Sequence, residues 1–203
     1  MTRFYLGTDV EDYVEMQKKA VESTGDLFEE LWGISETVEA TPNPMNKKYN
    51  IKRKQATFGD SYSFAGQKSQ KVPIPEYAWP EIVKRVLQDT RDRSGCQQYN
   101  VVHVNWYPDG SAGLDPHSDD MRAMVDGKSI YSYTFLSTPG VTRGFQVYDK
   151  KDSAQVKEFM LDDGDLLMMT AHMQKNFKHG VKKSAAKRFK ELRRINLTVR
   201  AWK

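Results

Sequence analysis

Residues 101–119 read VVHVNWYPDGSAGLDPHSD. A run of β-branched and aromatic residues enters a Pro108-Asp109-Gly110 turn, and a His-x-Asp triplet follows. On an extended strand, side chains two apart share a face, so His117 and Asp119 can both reach one metal ion. Far along the chain, His179 offers a third ligand. Two imidazoles and a carboxylate on one side of a metal make the facial triad of non-haem Fe(II) oxygenases, which leaves coordination positions open. By itself the triple is a weak signal, since a zinc site could use the same residues. Its neighbours must decide.

The closing stretch Arg194–Arg200, RINLTVR, alternates without a fault. Arg194, Asn196, Thr198 and Arg200 fall on one face, and Ile195, Leu197 and Val199 on the other. Two readings follow: an outer strand whose polar face meets water, or a strand whose guanidinium forks grip a dicarboxylate. Seven extended residues span roughly 20 Å, longer than a five-carbon diacid, so one arginine rather than both is the expected anchor. Between the two stretches, 130–136, 145–148, 156–161 and 165–169 read as short strands. Turn signals at Pro139-Gly140, 149–152 and Asp163-Gly164 separate them. That punctuation predicts an antiparallel sandwich or barrel.

Upstream, the apolar spacing of 9–32 predicts two short helices broken at Ser23-Thr24-Gly25 and covering one face of the sheet. Residues 41–45 are a proline-bearing loop. In 49–66 the Gly59-Asp60 pair separates two runs like a hairpin turn, and Tyr62 and Phe64 then share a face. They are either packed aromatics or a stacking platform for unpaired bases beside a basic strand. A proline-rich loop precedes a helix over 79–92 that buries Ile82, Val83, Val86 and Leu87.

The chain has 203 residues, 38% hydrophobic and 29% charged, which suits one domain. No apolar run approaches the roughly 20 residues of a membrane span, so no membrane association is expected. Acidic residues stand where a secretory leader needs an apolar core. The single cysteine, Cys96, excludes an internal disulfide and fits a reducing, intracellular setting. Net charge is +4, with an acidic stretch at 9–39 and basic blocks at 47–54 and 178–194. Each block alone reads as a solvated face. Flanking a candidate active site, they favour a polyanionic partner, and nucleic acid is the expectation.

In order and spacing, Asn105-x-Tyr107, Gly110, His117-x-Asp119, GDLLMM at 164–169, His179 and Arg194-x-Asn196-x-Thr198-x-Arg200 resemble the AlkB family of 2-oxoglutarate- and Fe(II)-dependent dioxygenases. RKQATFGD at 53–60 with Tyr62 and Phe64 is similar to its branch that repairs alkylated double-stranded DNA. The resemblance covers about residues 50–202. It implies an α+β fold: N-terminal helices over 1–40, a nucleotide-recognition hairpin within 45–66, and a double-stranded β-helix (jelly-roll) core over 97–203. It implies Fe(II) held by His117, Asp119 and His179, and 2-oxoglutarate held by Arg194 and Tyr107 at its far carboxylate, with Asn105, Asn196 and Arg200 near the metal end. The implied reaction is oxidative dealkylation of bases such as 1-methyladenine and 3-methylcytosine. It releases succinate, carbon dioxide and an aldehyde. The partner is then DNA ahead of RNA, the protein a monomer, and 2-oxoglutarate oxygenases of RNA or other substrates the alternative. Substrate contacts fall to Arg53, Tyr62, Phe64, Asp120 and Met121, with Met45 or Tyr49 as a wedge into the base stack. Met121 stands where relatives carry a carboxylate for the base edge, and a thioether is only a weak acceptor.

Overall fold

The polar and apolar faces of the last strand point into two different interiors, and the rest of the fold encloses both. A computed structural model describes the chain except Pro44, Met45, Lys47, Ser61, Tyr62, Ala65, Gly66 and Ser69, and except the side chains of Ser63, Phe64, Gln67 and Lys68. In chain order the elements are β1 (Thr2–Tyr5), β2 (Tyr13–Gln17), α1 (Gly25–Thr37), β3 (Lys54–Phe58), β4 (Ser63–Phe64), β5 (Gln67–Lys68), β6 (Gln70–Lys71), α2 (Glu81–Ser94), β7 (Val101–Tyr107), β8 (Leu114–His117), β9 (Ile130–Leu136), β10 (Arg143–Asp149), β11 (Gln155–Leu161), β12 (Asp165–Met169), α3 (Met173–Asn176), β13 (Phe177–Val181) and β14 (Arg194–Arg200). An eight-stranded sheet runs β1-β2-β12-β9-β14-β7-β3-β6, a four-stranded sheet runs β11-β10-β13-β8, and β4 pairs with β5.

On its outer face the large sheet meets the helices. Ile195, Leu197 and Val199 of β14 join Phe28 and Leu31 of α1 and Ile82, Val83, Val86 and Leu87 of α2 in one buried cluster. Between the sheets, Val14, Ile130, Leu167 and Met169 meet Phe145, Val147, Phe159, Leu161 and Val181 in a second. Each such side chain contributes about 1.5–3 kcal/mol on burial. Helix α1 starts at Thr24, whose Oγ1 accepts the Leu27 N–H at 3.4 Å, with Asp26 in the first turn where the helix dipole favours an anion. Helix α2 ends at Gly95, whose φ of 61° is the left-handed conformation glycine adopts without strain.

The helix expected over 79–92 is present two residues later, and the second of the two N-terminal helices is α1. The first is not a helix. Residues 13–17 form β2 on the edge of β12, with Val14 opposite Met169 and Met16 opposite Leu167. A few apolar residues at helical spacing carry a weak bias; the unpaired main-chain groups along β12 offer hydrogen bonds that outweigh it. The expected hairpin also differs. Strand β3 pairs with β7 antiparallel and with β6 parallel, while β4 pairs with β5, so among the described residues no β3–β4 ladder follows the Gly59-Asp60 turn. Among the described residues no helix is long and apolar enough to cross a membrane.

Candidate active site

The register of two strands brings the histidines together. β13 pairs with β8 so that His179 lies opposite His117, their ring centroids 4.5 Å apart. Strand β8 ends at His117, so strand alternation does not place Asp119 as the sequence suggested. Instead its N–H donates to Gln174 Oε1 at 3.0 Å, and Ser118 Oγ donates to the Phe177 carbonyl at 2.8 Å. Arg200 Nη2 donates to Asp119 Oδ1. One ligand atom from each of His117, Asp119 and His179 then lies within 4.8 Å of the others.

Protonation states suit a cation. His117 Nδ1 lies 3.0 Å from the Asp115 carbonyl. As the donor there, that nitrogen carries the proton and Nε2 keeps its lone pair for a metal. The His179 ring stacks on Phe145, centroids 5.4 Å apart. Burial, aided by His117, pushes the His179 imidazole down to about 3, and burial lowers His117 as well. Burial works against the Asp119 carboxylate, but Arg200, His179 and His117 outweigh it and hold the carboxyl below its ordinary range. Two neutral imidazoles and one carboxylate are the forms that bind Fe(II).

The triad opens on a cavity of about 450 Å³ lined by the polar faces of β14 and β7. All seven residues of β14 are buried, so its polar face meets this cavity and not bulk water. Arg194 Nη2 donates to Thr134 Oγ1 at 3.1 Å, and its guanidinium lies 4.8 Å from the centre of the Tyr107 ring. Arg194 Nη1 and the Tyr107 hydroxyl are buried with no hydrogen-bond partner among the described residues. A buried donor left unmet costs about 1–3 kcal/mol, and a carboxylate is the group that would satisfy both. Asn196 Nδ2 donates to Ser132 Oγ and the Tyr133 carbonyl, each at 2.8 Å, and Asn105 Oδ1 accepts from Arg53 Nη1. Three guanidinium groups, those of Arg53, Arg194 and Arg200, therefore face a lining whose carboxylates are Asp115 and Asp119. An anionic occupant would balance them.

The cavity thus gathers His117, Asp119, His179, Asn105, Tyr107, Arg194, Asn196, Arg200 and Arg53. It does not gather Asp120 and Met121. Asp120 is held by Arg122, at 2.9 Å from Nε and 2.5 Å from Nη2, and Met121 packs against the inter-sheet cluster. Tyr62, Met45 and the side chain of Phe64 lie outside the described residues; Tyr49 is exposed beside the rim residues Asn50 and Ile51. Sequence reasoning missed His103, which is buried with Nδ1 3.1 Å from Thr57 Oγ1 and which burial, Arg200 and Arg53 push well below its ordinary value. Strand alternation through 103, 105 and 107 could have found it. Nothing in the sequence pointed to Gln174.

A family model described as the 2OG-Fe(II) oxygenase superfamily matches residues 14–200. The DNA oxidative demethylase ALKBH2 of Mus musculus is 31% identical over 146 residues, covering 66% of this chain and 56% of that protein. The Homo sapiens protein of the same name is 31% identical over 168 residues, covering 76% and 58%. The chain therefore spans a little over half the length of the curated relatives it matches. In fold it is similar to a solved structure of OsALKBH1, with a TM-score of 0.58 at 18% identity over 92% of this chain and 97% of that one. The superfamily's cofactors, Fe(II) and 2-oxoglutarate, match a His-Asp-His cluster in a cavity that also holds a buried guanidinium nitrogen and a phenol hydroxyl without a hydrogen-bond partner among the described residues. The chain belongs to the 2OG-Fe(II) oxygenase superfamily and, within it, to the AlkB family.

Proposed function

We propose that this protein oxidatively dealkylates N-alkylated nucleobases in DNA. The observation that carries the reading is one cavity holding the His117-Asp119-His179 cluster and, on its wall, the unpartnered Arg194 Nη1 and Tyr107 hydroxyl. With Fe(II) and 2-oxoglutarate bound, the pair supplies the oxidising power that hydroxylates an N-alkyl carbon in air, with succinate and carbon dioxide as co-products and the alkyl group lost as an aldehyde.

The residues of this chain position and exclude. Arg194 and Tyr107 hold the far carboxylate of 2-oxoglutarate, while Asn105, Asn196 and Arg200 orient the metal-side end. Phe145 and Met169 close apolar walls around the triad. A target base in duplex DNA must leave the stack to reach a triad this deep. Arg53 contacts the substrate side through the Asn105 network, and Tyr62 and Phe64 stack on the extruded base, with Tyr49 or Met45 entering the gap. Besides the metal-ligand candidate Asp119, the carboxylate on the cavity wall is Asp115. Bases alkylated at N1 of adenine or N3 of cytosine are cationic, which suits an exposed carboxylate. Lys52 and Lys183 line the same mouth, and the 178–194 block extends the positive field toward a phosphate backbone.

We further read the core as a jelly roll. After β7, the chain passes from the large sheet to the small one and back: β8 small, β9 large, β10 and β11 small, β12 large, β13 small, β14 large. That alternation supports a double-stranded β-helix wound around the site.

The test incubates Fe(II)-loaded protein with 2-oxoglutarate and air on matched single-stranded DNA, duplex DNA and RNA carrying 1-methyladenine or 3-methylcytosine. Products are weighed by mass spectrometry. Loss of one methyl mass, absent with His117→Ala, is expected, with DNA ahead of RNA. Consumption of 2-oxoglutarate with every nucleic acid unchanged would sink the dealkylase reading and leave an oxygenase of another substrate class.

A further inference from the structure

We infer that Gln174 is a positioning residue for the metal site, and that the N-terminal segment holds it in place through Asp12. The inference rests on the reading of His117, Asp119 and His179 as the metal ligands.

Asp119 lies two residues past the end of β8, so its backbone is outside the strand's own span. Its N–H is bound by Gln174 Oε1 at 3.0 Å, and the Gln174 side chain is shut in, with the residue 3% exposed. The neighbouring Ser118 Oγ reaches the Phe177 carbonyl at 2.8 Å. Both contacts tie the inter-ligand backbone to the same segment, α3 and the start of β13. The placement of one ligand therefore depends on where α3 sits.

Helix α3 is four residues long and has no side-chain cap, so its own hydrogen bonds cannot hold it. It is held from the other end of the chain. Asp12, 3% exposed, accepts from Asn176 Nδ2 at 2.9 Å and lies 3.0 Å from His172 Nδ1. Those two residues bracket Gln174 on either side. Thr170 Oγ1 donates to the Glu11 carbonyl at 2.8 Å, and Lys150 Nζ donates to the Gln174 carbonyl at 2.6 Å. A buried carboxylate at position 12 thus acts on the metal site in relay: it fixes α3, α3 fixes the Gln174 amide, and the amide fixes the Asp119 main chain. Residues that orient ligands without touching the metal typically change affinity by roughly 10–100-fold when removed.

The test is Co(II) affinity of the full-length protein, followed by the visible absorption of the bound ion, with thermal melts of the metal-free protein alongside. Gln174→Met keeps the volume and removes the acceptor; it is expected to weaken Co(II) binding roughly tenfold or more and to alter the absorption bands. Asp12→Ala should weaken binding in the same direction, and the double variant should be no worse than the weaker single one, because the two residues act in one chain. If Asp12→Ala does not fold, Asp12→Asn, which keeps one oxygen, carries the same expectation at smaller size. Folded variants that bind Co(II) as the parent does, with only their melting temperatures lowered, overturn the inference and leave a purely structural contact. If the parent binds Co(II) no better than His117→Ala, the metal-site reading itself fails, a result the variants alone could not produce.

Discussion

Arg200 Nη2 sits 2.5 Å from Asp119 Oδ1, and both side chains are closed off from solvent, at 5% and 1% exposure. A cation at the end of the last strand thereby holds the carboxylate that the β8–β9 connection delivers. Removing one partner of a buried pair strands the other charge, at a cost of roughly 3–5 kcal/mol. Arg200→Met should lower the metal-free protein's urea unfolding free energy by that order. Mn(II), by supplying a replacement cation, should stabilise the variant more than it stabilises the parent. Equal gains would mean that Asp119 is not the carboxylate the metal meets.

Arg194 should act on the co-substrate alone. Its Nη1 and the Tyr107 hydroxyl have no hydrogen-bond partner among the described residues; if they take the far carboxylate as proposed, truncating one side of such a buried charged contact costs on the order of 2–5 kcal/mol. Arg194→Met should raise KM for 2-oxoglutarate by roughly 30-fold or more. Co(II) affinity should stay at the parent's level. Arg194→Lys should not restore KM, because an ammonium lacks the planar fork.

Gly180 follows His179 on β13, close against β8. A Cβ there would come within 2.7 Å of the Leu114 carbonyl and 3.2 Å of the Pro116 nitrogen. Both are backbone atoms that cannot rotate away. Gly180→Ala must push β8 off β13 and part His117 from His179, so Co(II) binding should weaken together with a melting temperature drop. A change in melting temperature alone would show that the strands absorb the shift elsewhere.

Stability of the metal-free protein should fall with acid. His179 has an ordinary value of 6.5 and is pushed to about 3 in the fold. Between those values the unfolded chain binds a proton that the folded one refuses, so stability is complete above about 6.5 and is lost as pH falls toward 3. Asp119, also lowered, adds to the loss below its ordinary value. Chemical denaturation from pH 7 to pH 4 should show the decline, and His179→Asn should flatten it.

Asp115 should set discrimination among lesions. Asp115 is exposed and lines the cavity, while its carbonyl, untouched by substitution, still meets His117 Nδ1. For an exposed carboxylate and a cationic base, the pairing is worth on the order of 1 kcal/mol. Asp115→Asn should lower kcat/KM several-fold on 1-methyladenine and 3-methylcytosine and leave the neutral base 3-methylthymine unchanged. An equal loss on all three would remove charge as the cause.

Much of the site was legible in the residues themselves. The alternation of 194–200 separated Arg194, Asn196, Thr198 and Arg200 from Ile195, Leu197 and Val199, and the structure keeps that division, because a strand's period of two is a property of the backbone. The helix at 81–94 was legible for the same local reason, its buried stripe of Ile82, Val83, Val86 and Leu87. Spacing within one element depends on a few dihedrals, and these are set by residues next to one another. Relations between elements are not local. That both faces of β14 are covered, that 13–17 is a strand held between β1 and β12 and not a helix, and that Asp119 is placed by Gln174 and Arg200 and not by its own strand all depend on partners outside the segment itself. Those partners arrive through sheet register and packing. The sequence by itself determined which side chains could bind a metal and a dicarboxylate; the tertiary structure decided that they line one cavity, because only the closed sheets set β14, β7, β8 and β13 around the same space and join Gln174 to Asp119 and Asp119 to Arg200.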